Sequence, residues 1–150
     1  MKPIIPPPII LIFFIGIALG IDPLSPFDLL MGQSRIPLAL VFAATGILIA
    51  VLGVLQFQKH KTTINPHTID KARALVTGGI YRLTRNPMYL GMLLVLTGVV
   101  FHTGDILALI ALPGFVITLN RLQIQPEERA LHALFGDAFT AYCARTRRWI

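Results

Sequence analysis

The stretch that decides the fold is residues 36–58, IPLALVFAATGILIAVLGVLQFQ, which runs for 23 residues without a charge. A helix rises about 1.5 Å per residue, so about 20 apolar residues cross the hydrocarbon core of a bilayer. Upstream, residues 3–21 form another uncharged stretch of 19 residues. The two stretches predict transmembrane helices over residues 36–57 and 4–21, respectively.

A third apolar region, residues 88–119, is interrupted by polar residues at 102–105. Each half covers only about 21 Å as a helix. The pattern therefore predicts a helical hairpin of two short legs, over residues 87–101 and 105–120. The expected fold is an all-α integral membrane protein with about four transmembrane helices, including this short hairpin.

The composition supports a membrane location. Of the 150 residues, 55% are hydrophobic and 13% charged, with a mean hydropathy of +0.73. Soluble domains carry about 25% charged residues. This excludes a disordered chain and a soluble Rossmann enzyme, and the single cysteine, Cys143, excludes a disulfide scaffold or a cysteine-rich metal site.

Basic residues outnumber acidic ones, 13 to 7. With four spans and a cytoplasmic N-terminus, Arg35 is the only lysine or arginine on the outer side of the membrane. The other twelve lie on the cytoplasmic side, as the positive-inside rule predicts. We therefore expect a multi-pass protein of a prokaryotic plasma membrane with both termini in the cytoplasm. Nucleic-acid binding is not expected, because the basic residues lie against the bilayer. The cations placed inside are Lys2, Lys59, Lys61, Lys71, Arg73, Arg82, Arg85, Arg121, Arg129, Arg145, Arg147 and Arg148.

Two polar pieces remain, a cytoplasmic loop over residues 58–86 and a C-terminal piece with an amphipathic helix over residues 126–145. Neither is large enough to fold alone, so the chain is expected to be one membrane domain, residues 1–150. A cleaved signal peptide is the alternative for the first stretch, but Asp22-Pro23 favours a retained helix.

Asn86-Pro87 is typical of a helix start, with Asn at the N-cap and Pro at the first helical position. The free backbone N–H groups of such an end bind anions, and Arg85 adds a positive charge. This pattern predicts that the start of the helix binds a carboxylate or a phosphate. The alternative is an ordinary helix cap, with Arg85 on lipid phosphates.

In the C-terminal helix, Glu127 lies four residues before Leu131 and projects from the apolar side, whereas Glu128 faces the polar side. An inward carboxylate needs a partner, because burial of an unpaired charge is costly. The partner is either an arginine, Arg85 or Arg121, or a cationic or polyhydroxylated ligand.

Taken together, LVTGGIY at residues 75–81, RNPMYLG at residues 85–91, the hairpin and Glu127-Glu128 resemble the isoprenylcysteine carboxyl methyltransferase family. The related membrane phospholipid methyltransferases share much of this pattern. The resemblance covers about residues 60–150. It implies an integral membrane methyltransferase that uses S-adenosylmethionine on a lipophilic acceptor, with membrane lipids as its surroundings.

The resemblance also implies a cytoplasmic cofactor pocket built from the loop, the start of the third span and the amphipathic helix. No metal is required, and no catalytic residue is assigned beyond positioning by Arg85 and Glu127. Arg85 joins the cofactor set through the anion argument above. The expected cofactor-binding residues are Arg73, Ala74, Leu75, Val76, Tyr81, Arg85, Asn86, Pro87, Met88, Tyr89 and Glu127.

Two departures from the isoprenylcysteine enzymes bear on the acceptor. Asn86 replaces a His, and Gln123 replaces the Arg that meets the substrate carboxylate. We therefore expect a lipid or a small lipophilic acceptor, with Gln123 and His67 as candidate substrate residues. The rival hypothesis is a non-catalytic accessory or structural membrane protein, whose polar residues would form internal salt bridges without a cavity. Oligomeric state does not follow from the sequence.

Overall fold

The computed structural model describes residues 5–21, 35–59 and 74–150, and all the regular elements in these ranges are helices. The chain is an all-α membrane protein, as predicted. Short 3₁₀ turns lie at Gly79–Arg82 and Leu107–Ile110, and a π-helical turn lies at Asn120–Ile124. The α-helices are α1 (Pro7–Ile21), α2 (Arg35–Lys59), α3 (Pro87–Thr103), α4 (Ala111–Leu119), α5 (Gln125–Phe135) and α6 (Asp137–Arg145).

Two helices among the described residues are long and apolar enough to cross a bilayer, judged by length and composition. They are α2 and the continuous helix Leu107–Phe135, which contains α4 and α5. α1 and α3 are apolar but shorter. The acidic first turn of α5 comes after the apolar part of the long helix, so its carboxylates lie beyond the membrane-spanning stretch.

α3 is the centre of the helix packing, with α1 and α2 against it, while α1 also packs on α4. α1 buries Ile10, Phe14 and Ala18, which recur every four residues and so lie on one face. The ring of Phe14 meets Phe115 of α4 edge-on, with centroids 5.8 Å apart. This contact joins the first helix to the second leg of the hairpin.

Glycines bring the backbones of α2 and α3 into contact. A Cβ atom added at Gly46 would lie 2.5 Å from the carbonyl oxygen of Gly91, and one added at Gly98 would lie 2.7 Å from that of Ala39. In membranes, where apolar side chains gain little by leaving lipid, helices associate through such close van der Waals contact. Gly46, Gly91 and Gly98 therefore position α3, and with it the site at its start.

The hairpin turn lies where the polar interruption predicted it. Gly104 ends α3 with a φ of +73°, a conformation that glycine adopts without strain, and its N–H donates to Val100 (3.1 Å). Asp105 then accepts a hydrogen bond from the N–H of Leu107 (2.7 Å), which begins the second leg.

One predicted helix boundary is wrong. α4 ends at Leu119, but the chain stays helical beyond it, because the π-turn at Asn120–Ile124 leads directly into α5. The C-terminal helix is not one element over residues 126–145. Gly136, with a φ of +50°, ends α5, and α6 begins after it.

Candidate functional site

The start of α3 and the first turn of α5 meet at a hydrogen bond between Tyr89 and Glu127. Tyr89 lies in the first turn of α3 and is 7% exposed, and its hydroxyl donates to Oε1 of Glu127 (2.5 Å) in the first turn of α5. Glu127 is half-buried. Its partner is therefore Tyr89, and not Arg85 or Arg121 as the arginine alternative predicted.

Burial raises the pKa of Glu127 to about 7; the hydrogen bond from Tyr89 lowers it, and the negative charge of Glu128 raises it further. Near neutral pH the carboxyl is thus poised between its two protonation states. A cation or a pair of hydroxyl donors placed beside it would favour the ionised form. The site has the chemistry of a receptor for such a group.

Tyr81 lies near enough to Glu127 for its charge to be felt, and the Tyr81 hydroxyl makes no hydrogen bond to the described residues. The side chain is 4% exposed, and its Oη is buried without a hydrogen-bond partner in the described part of the chain. Burial raises the pKa of Tyr81 well above its usual value, and the nearby Tyr142 and Glu127 raise it further. Since a buried polar group without a partner costs about 1–3 kcal/mol, Tyr81 is suited to meet a ligand.

The end of the loop is held against the C-terminal helices. Val76 is buried in a cluster with Tyr81, Phe139 and Tyr142, and Leu75 packs on its edge. The hydroxyl of Tyr142 donates to the carbonyl of Tyr81 (2.7 Å), which fixes the 3₁₀ turn. The structure therefore brings Leu75, Val76 and Tyr81 of the loop against α5 and α6, in the same region as Glu127.

The predicted helix start at Asn86-Pro87 is confirmed, since Asn86 is the N-cap and Pro87 begins α3. The Asn86 side chain does not cap the helix, however, and donates to the carbonyl of Arg148 (2.9 Å) instead. Pro87 is buried, and Met88 lies against Gly53 of α2. The first N–H groups of α3 after Pro87 have no partner within their own helix.

Arg85 has different partners from those predicted. Its Nη2 donates to Glu128 (2.8 Å), and its Nη1 donates to the carbonyls of Cys143 (3.2 Å) and Thr146 (2.9 Å). Arg85 therefore contacts the end of α6 and the first turn of α5, where Glu128 supplies the negative charge that the sequence predicts from a bound ligand.

The remaining predicted residues either make no side-chain hydrogen bond to the Tyr89–Glu127 pair or lie outside the described residues. Gln123 is fully buried in the π-turn, where its Nε2 donates to the carbonyl of Ile5, and its Oε1 has no partner within the described ranges. Ala74 is half-buried and is the first loop residue described after Lys59. Arg73 and His67 lie outside the described residues.

Sequence reasoning missed Glu128, Arg148 and Thr84. Nε and Nη2 of Arg148 donate to the Glu128 carboxylate (3.1 and 2.5 Å). The Thr84 hydroxyl is buried and accepts the N–H of Asn86 (3.1 Å). Thr84 had a local signal, since Ser and Thr two residues before a turn form such bonds, whereas the Glu128 pairing joins distant parts of the chain and had none.

An open cleft of about 460 Å³ adjoins the Arg148–Glu128 pair. Its lining mixes cationic and polar side chains with one buried aromatic ring. None of its lining residues belongs to the predicted cofactor-binding set, so the cleft and the internal ion pairs do not decide between the enzyme and the accessory-protein hypothesis, which predicted salt bridges without a cavity. The lining residues are Gln125, Glu128, Arg129, His132, Phe139 and Arg148.

Removing the hydroxyls of Tyr81 and Tyr142 is expected to have different effects on the empty protein. Tyr142→Phe loses a buried hydrogen bond and should lower the free energy of unfolding by about 1–2 kcal/mol. Tyr81→Phe removes a hydroxyl that has no partner among residues 5–21, 35–59 and 74–150, so stability should stay unchanged or rise. Denaturant titration in detergent compares them. Equal losses would show that the Tyr81 hydroxyl is already bonded in the empty protein.

A family model matches most of the chain that forms this site. Residues 34–138 match the family model described as phospholipid methyltransferase. An uncharacterized protein of Haemophilus influenzae is 36% identical over 63 residues, which is 42% of this chain and 100% of that protein. No solved structure matches the chain. The family match runs from α2 to the first residues of α6 and so includes Tyr81, Tyr89 and Glu127.

Proposed function

Because the chain belongs to the phospholipid methyltransferase family, we propose that it is a membrane methyltransferase that uses S-adenosylmethionine and acts on a lipophilic acceptor. The observation that carries this proposal is the Tyr89–Glu127 hydrogen bond, which joins the start of α3 to α5. The buried hydroxyl of Tyr81, unpartnered within the described residues, lies beside it. Together they form a receptor for a cationic, polyhydroxylated ligand.

The residues present fit the proposed cofactor. The carboxylate of Glu127 accepts hydrogen bonds from ribose hydroxyls or the amino group, and the Tyr81 hydroxyl supplies a further polar contact. The N–H groups at the start of α3 receive the cofactor carboxylate. Leu75 and Val76 offer apolar surface to the adenine. Alongside these, the proposed set retains Arg73, Ala74, Asn86, Pro87, Met88 and Tyr89.

When bound, S-adenosylmethionine supplies an electrophilic methyl group on a sulfonium. The protein contributes positioning and the exclusion of water, which are large effects for an in-line displacement. Tyr89 orients Glu127 through its hydrogen bond, and Arg85 acts indirectly, since its hydrogen bonds go to Glu128 and two carbonyls. No side chain is assigned as a general base.

The acceptor is proposed to be a lipid or a small lipophilic molecule that enters from the bilayer. Gln123, which stands where the isoprenylcysteine enzymes have Arg, is buried, and its Oε1 has no partner among the described residues. A carbonyl oxygen accepts a hydrogen bond and repels a carboxylate. This disfavours a prenylcysteine carboxylate as the acceptor. His67 stays a candidate substrate residue.

The proposed membrane topology has four spans, formed by α1, α2, α3 and the apolar part of Leu107–Phe135, with both termini in the cytoplasm. The distribution of cations supports this orientation, because only Arg35 would lie outside. In this arrangement the start of α3 and the first turn of α5 lie at the same membrane surface, where they contact each other.

Methyl transfer tests the function directly. The protein is purified in detergent and incubated with methyl-labelled S-adenosylmethionine and either a bacterial lipid extract or a prenylcysteine. We expect saturable cofactor binding, label in the lipid extract and none in the prenylcysteine. If no saturable binding is detected, the accessory-protein hypothesis replaces the enzyme, and the internal ion pair of Arg85 with Glu128 becomes its supporting observation.

Cofactor affinity is expected to rise with pH. A carboxyl with a pKa of about 7 is about one-tenth ionised at pH 6 and nine-tenths ionised at pH 8. Since the ligand needs the ionised Glu127, the Kd for S-adenosylmethionine should fall about tenfold over this interval, as measured by equilibrium binding. His132→Gln is the control, because His132 lines the cleft beside the Arg148–Glu128 pair. A flat profile, or one abolished by His132→Gln, would contradict the assignment.

A further inference from the structure

The C-terminal segment, residues 146–150, crosses the chain just before α3. Three consecutive carbonyls of this segment accept hydrogen bonds from residues 84–86. The N–H of Arg85 donates to Arg147 (3.0 Å), and Nη1 of Arg85 donates to Thr146 (2.9 Å). The carbonyl of Arg148 accepts both the Asn86 side-chain amide (2.9 Å) and the Thr84 hydroxyl (3.2 Å).

An ion-pair cluster of Arg85, Glu128 and Arg148 adds to this contact. Glu128 accepts from Arg85 (2.8 Å) through Oε1 and from both Nε and Nη2 of Arg148 through its two oxygens. The side chains of Arg85 and Glu128 are only 14% and 19% exposed. Two-point contacts of Arg with a carboxylate fix orientation as well as distance.

The cluster joins the same two elements as the Tyr89–Glu127 pair. Arg85 lies four residues before Tyr89, and Glu128 follows Glu127 directly on α5. The far end of the segment is also held, since the indole N–H of Trp149 donates to Asn120 (3.2 Å) in the π-turn. The C-terminal segment therefore bridges the start of α3 and the long helix on both sides of Glu127.

We propose that Glu128 and Arg148 are positioning residues that hold the C-terminal segment across the start of α3, and that this contact keeps Tyr89 and Glu127 in the geometry that binds S-adenosylmethionine. The proposal rests on the proposed function. The family match ends at residue 138, so this segment lies outside it. The role is therefore inferred from this chain's own contacts.

Positioning is the expected role because partly buried ion pairs add little net stability. The cost of removing two charges from water offsets much of their attraction, while geometry is strongly specified. Arg148 is 34% exposed, and its loss leaves Glu128 paired with Arg85, so replacing Arg148 should change the alignment of α5 against α3 more than it changes folding. The effect should appear in cofactor affinity, and hence in the KM for the cofactor more than in kcat.

Trp149 offers a direct measurement, because it is the only tryptophan in the 150 residues. Its fluorescence reports whether the C-terminal segment is docked. The full chain in detergent is compared with Glu128→Gln and with Arg148→Gln. Arg148→Gln leaves the Arg85–Glu128 pair intact and carries the test if Glu128→Gln does not fold. Arg129→Gln is the matched control, since Arg129 is exposed and its one hydrogen bond within the described ranges goes to the carbonyl of Gln125 in its own helix.

We expect both cluster variants to shift Trp149 emission to longer wavelength and to weaken S-adenosylmethionine binding about tenfold, while Arg129→Gln changes neither. Unchanged emission would show that the cluster does not hold the segment. Shifted emission with unchanged cofactor affinity would show that the segment does not position the site. Either result overturns the proposal. If the wild-type protein itself binds no S-adenosylmethionine, the proposed function fails, and the positioning role fails with it.

Discussion

Replacing Glu127 with Gln is expected to weaken S-adenosylmethionine binding about 10- to 100-fold. A charge-assisted hydrogen bond contributes about 1.5–3 kcal/mol, and each 1.4 kcal/mol changes affinity tenfold. The amide oxygen of Gln still accepts the hydrogen bond of Tyr89, so the link between α3 and α5 survives. The substitution thus removes the charge without removing the contact that holds the helices together.

Isothermal titration of purified protein in detergent measures this loss. Asp137→Asn is the matched control, since Asp137 is an exposed acid in the first turn of α6 and its substitution removes the same charge. We expect the control to bind like the wild type, and both variants to keep the wild-type unfolding midpoint. Equal binding by the wild type and Glu127→Gln would contradict the role of this carboxylate.

Replacing Gly46 with Leu is expected to prevent the correct association of α2 with α3. A Cβ atom alone at this position would lie 2.5 Å from the carbonyl oxygen of Gly91, which is backbone and cannot rotate away. Overpacking in cores costs about 1–3 kcal/mol, and a whole Leu side chain between two backbones should reach or exceed the upper end. The helices must separate to admit it.

Thermal unfolding in detergent, followed by circular dichroism and by size-exclusion chromatography, measures this effect. Gly16→Leu is the control, because a Cβ at Gly16 in α1 meets no atom within 4 Å. We expect a large fall in the unfolding midpoint, or aggregation, for Gly46→Leu and little change for Gly16→Leu. Equal midpoints would show that α2 does not pack on α3 through this glycine.

Local patterns in the sequence predicted part of the site. The start of α3 at Asn86-Pro87 followed from cap chemistry, which depends on only a few neighbouring residues. The spacing of Glu127 from Leu131 predicted an inward carboxylate, and the half-buried Glu127 hydrogen-bonded to Tyr89 agrees with that expectation. Its roles in binding stay predictions, because they concern a ligand.

Two other helix boundaries depended on backbone geometry that hydrophobic periodicity does not reveal. Pro126 looked like the start of a new helix, yet the π-turn before it lets the helix continue. Gly136 looked like one residue of an amphipathic helix, yet its positive φ separates α5 from α6. Both outcomes follow from backbone geometry at single positions, which hydrophobic periodicity does not report.

By itself, the sequence determined the membrane class, the apolar helices and the turn at Gly104, because each depends on the hydropathy and backbone preferences of residues close together in the chain. Only the tertiary structure decided that Tyr89 would bind Glu127, 38 residues away, and that Arg85 would pair with Glu128, 43 residues away. From the sequence alone, the adjacent carboxylates of Glu127 and Glu128 are equally able to pair with a distant cation or hydroxyl. Which one receives which partner depends on how α5 and the C-terminal segment dock on α3, and that docking is a property of the whole packed chain.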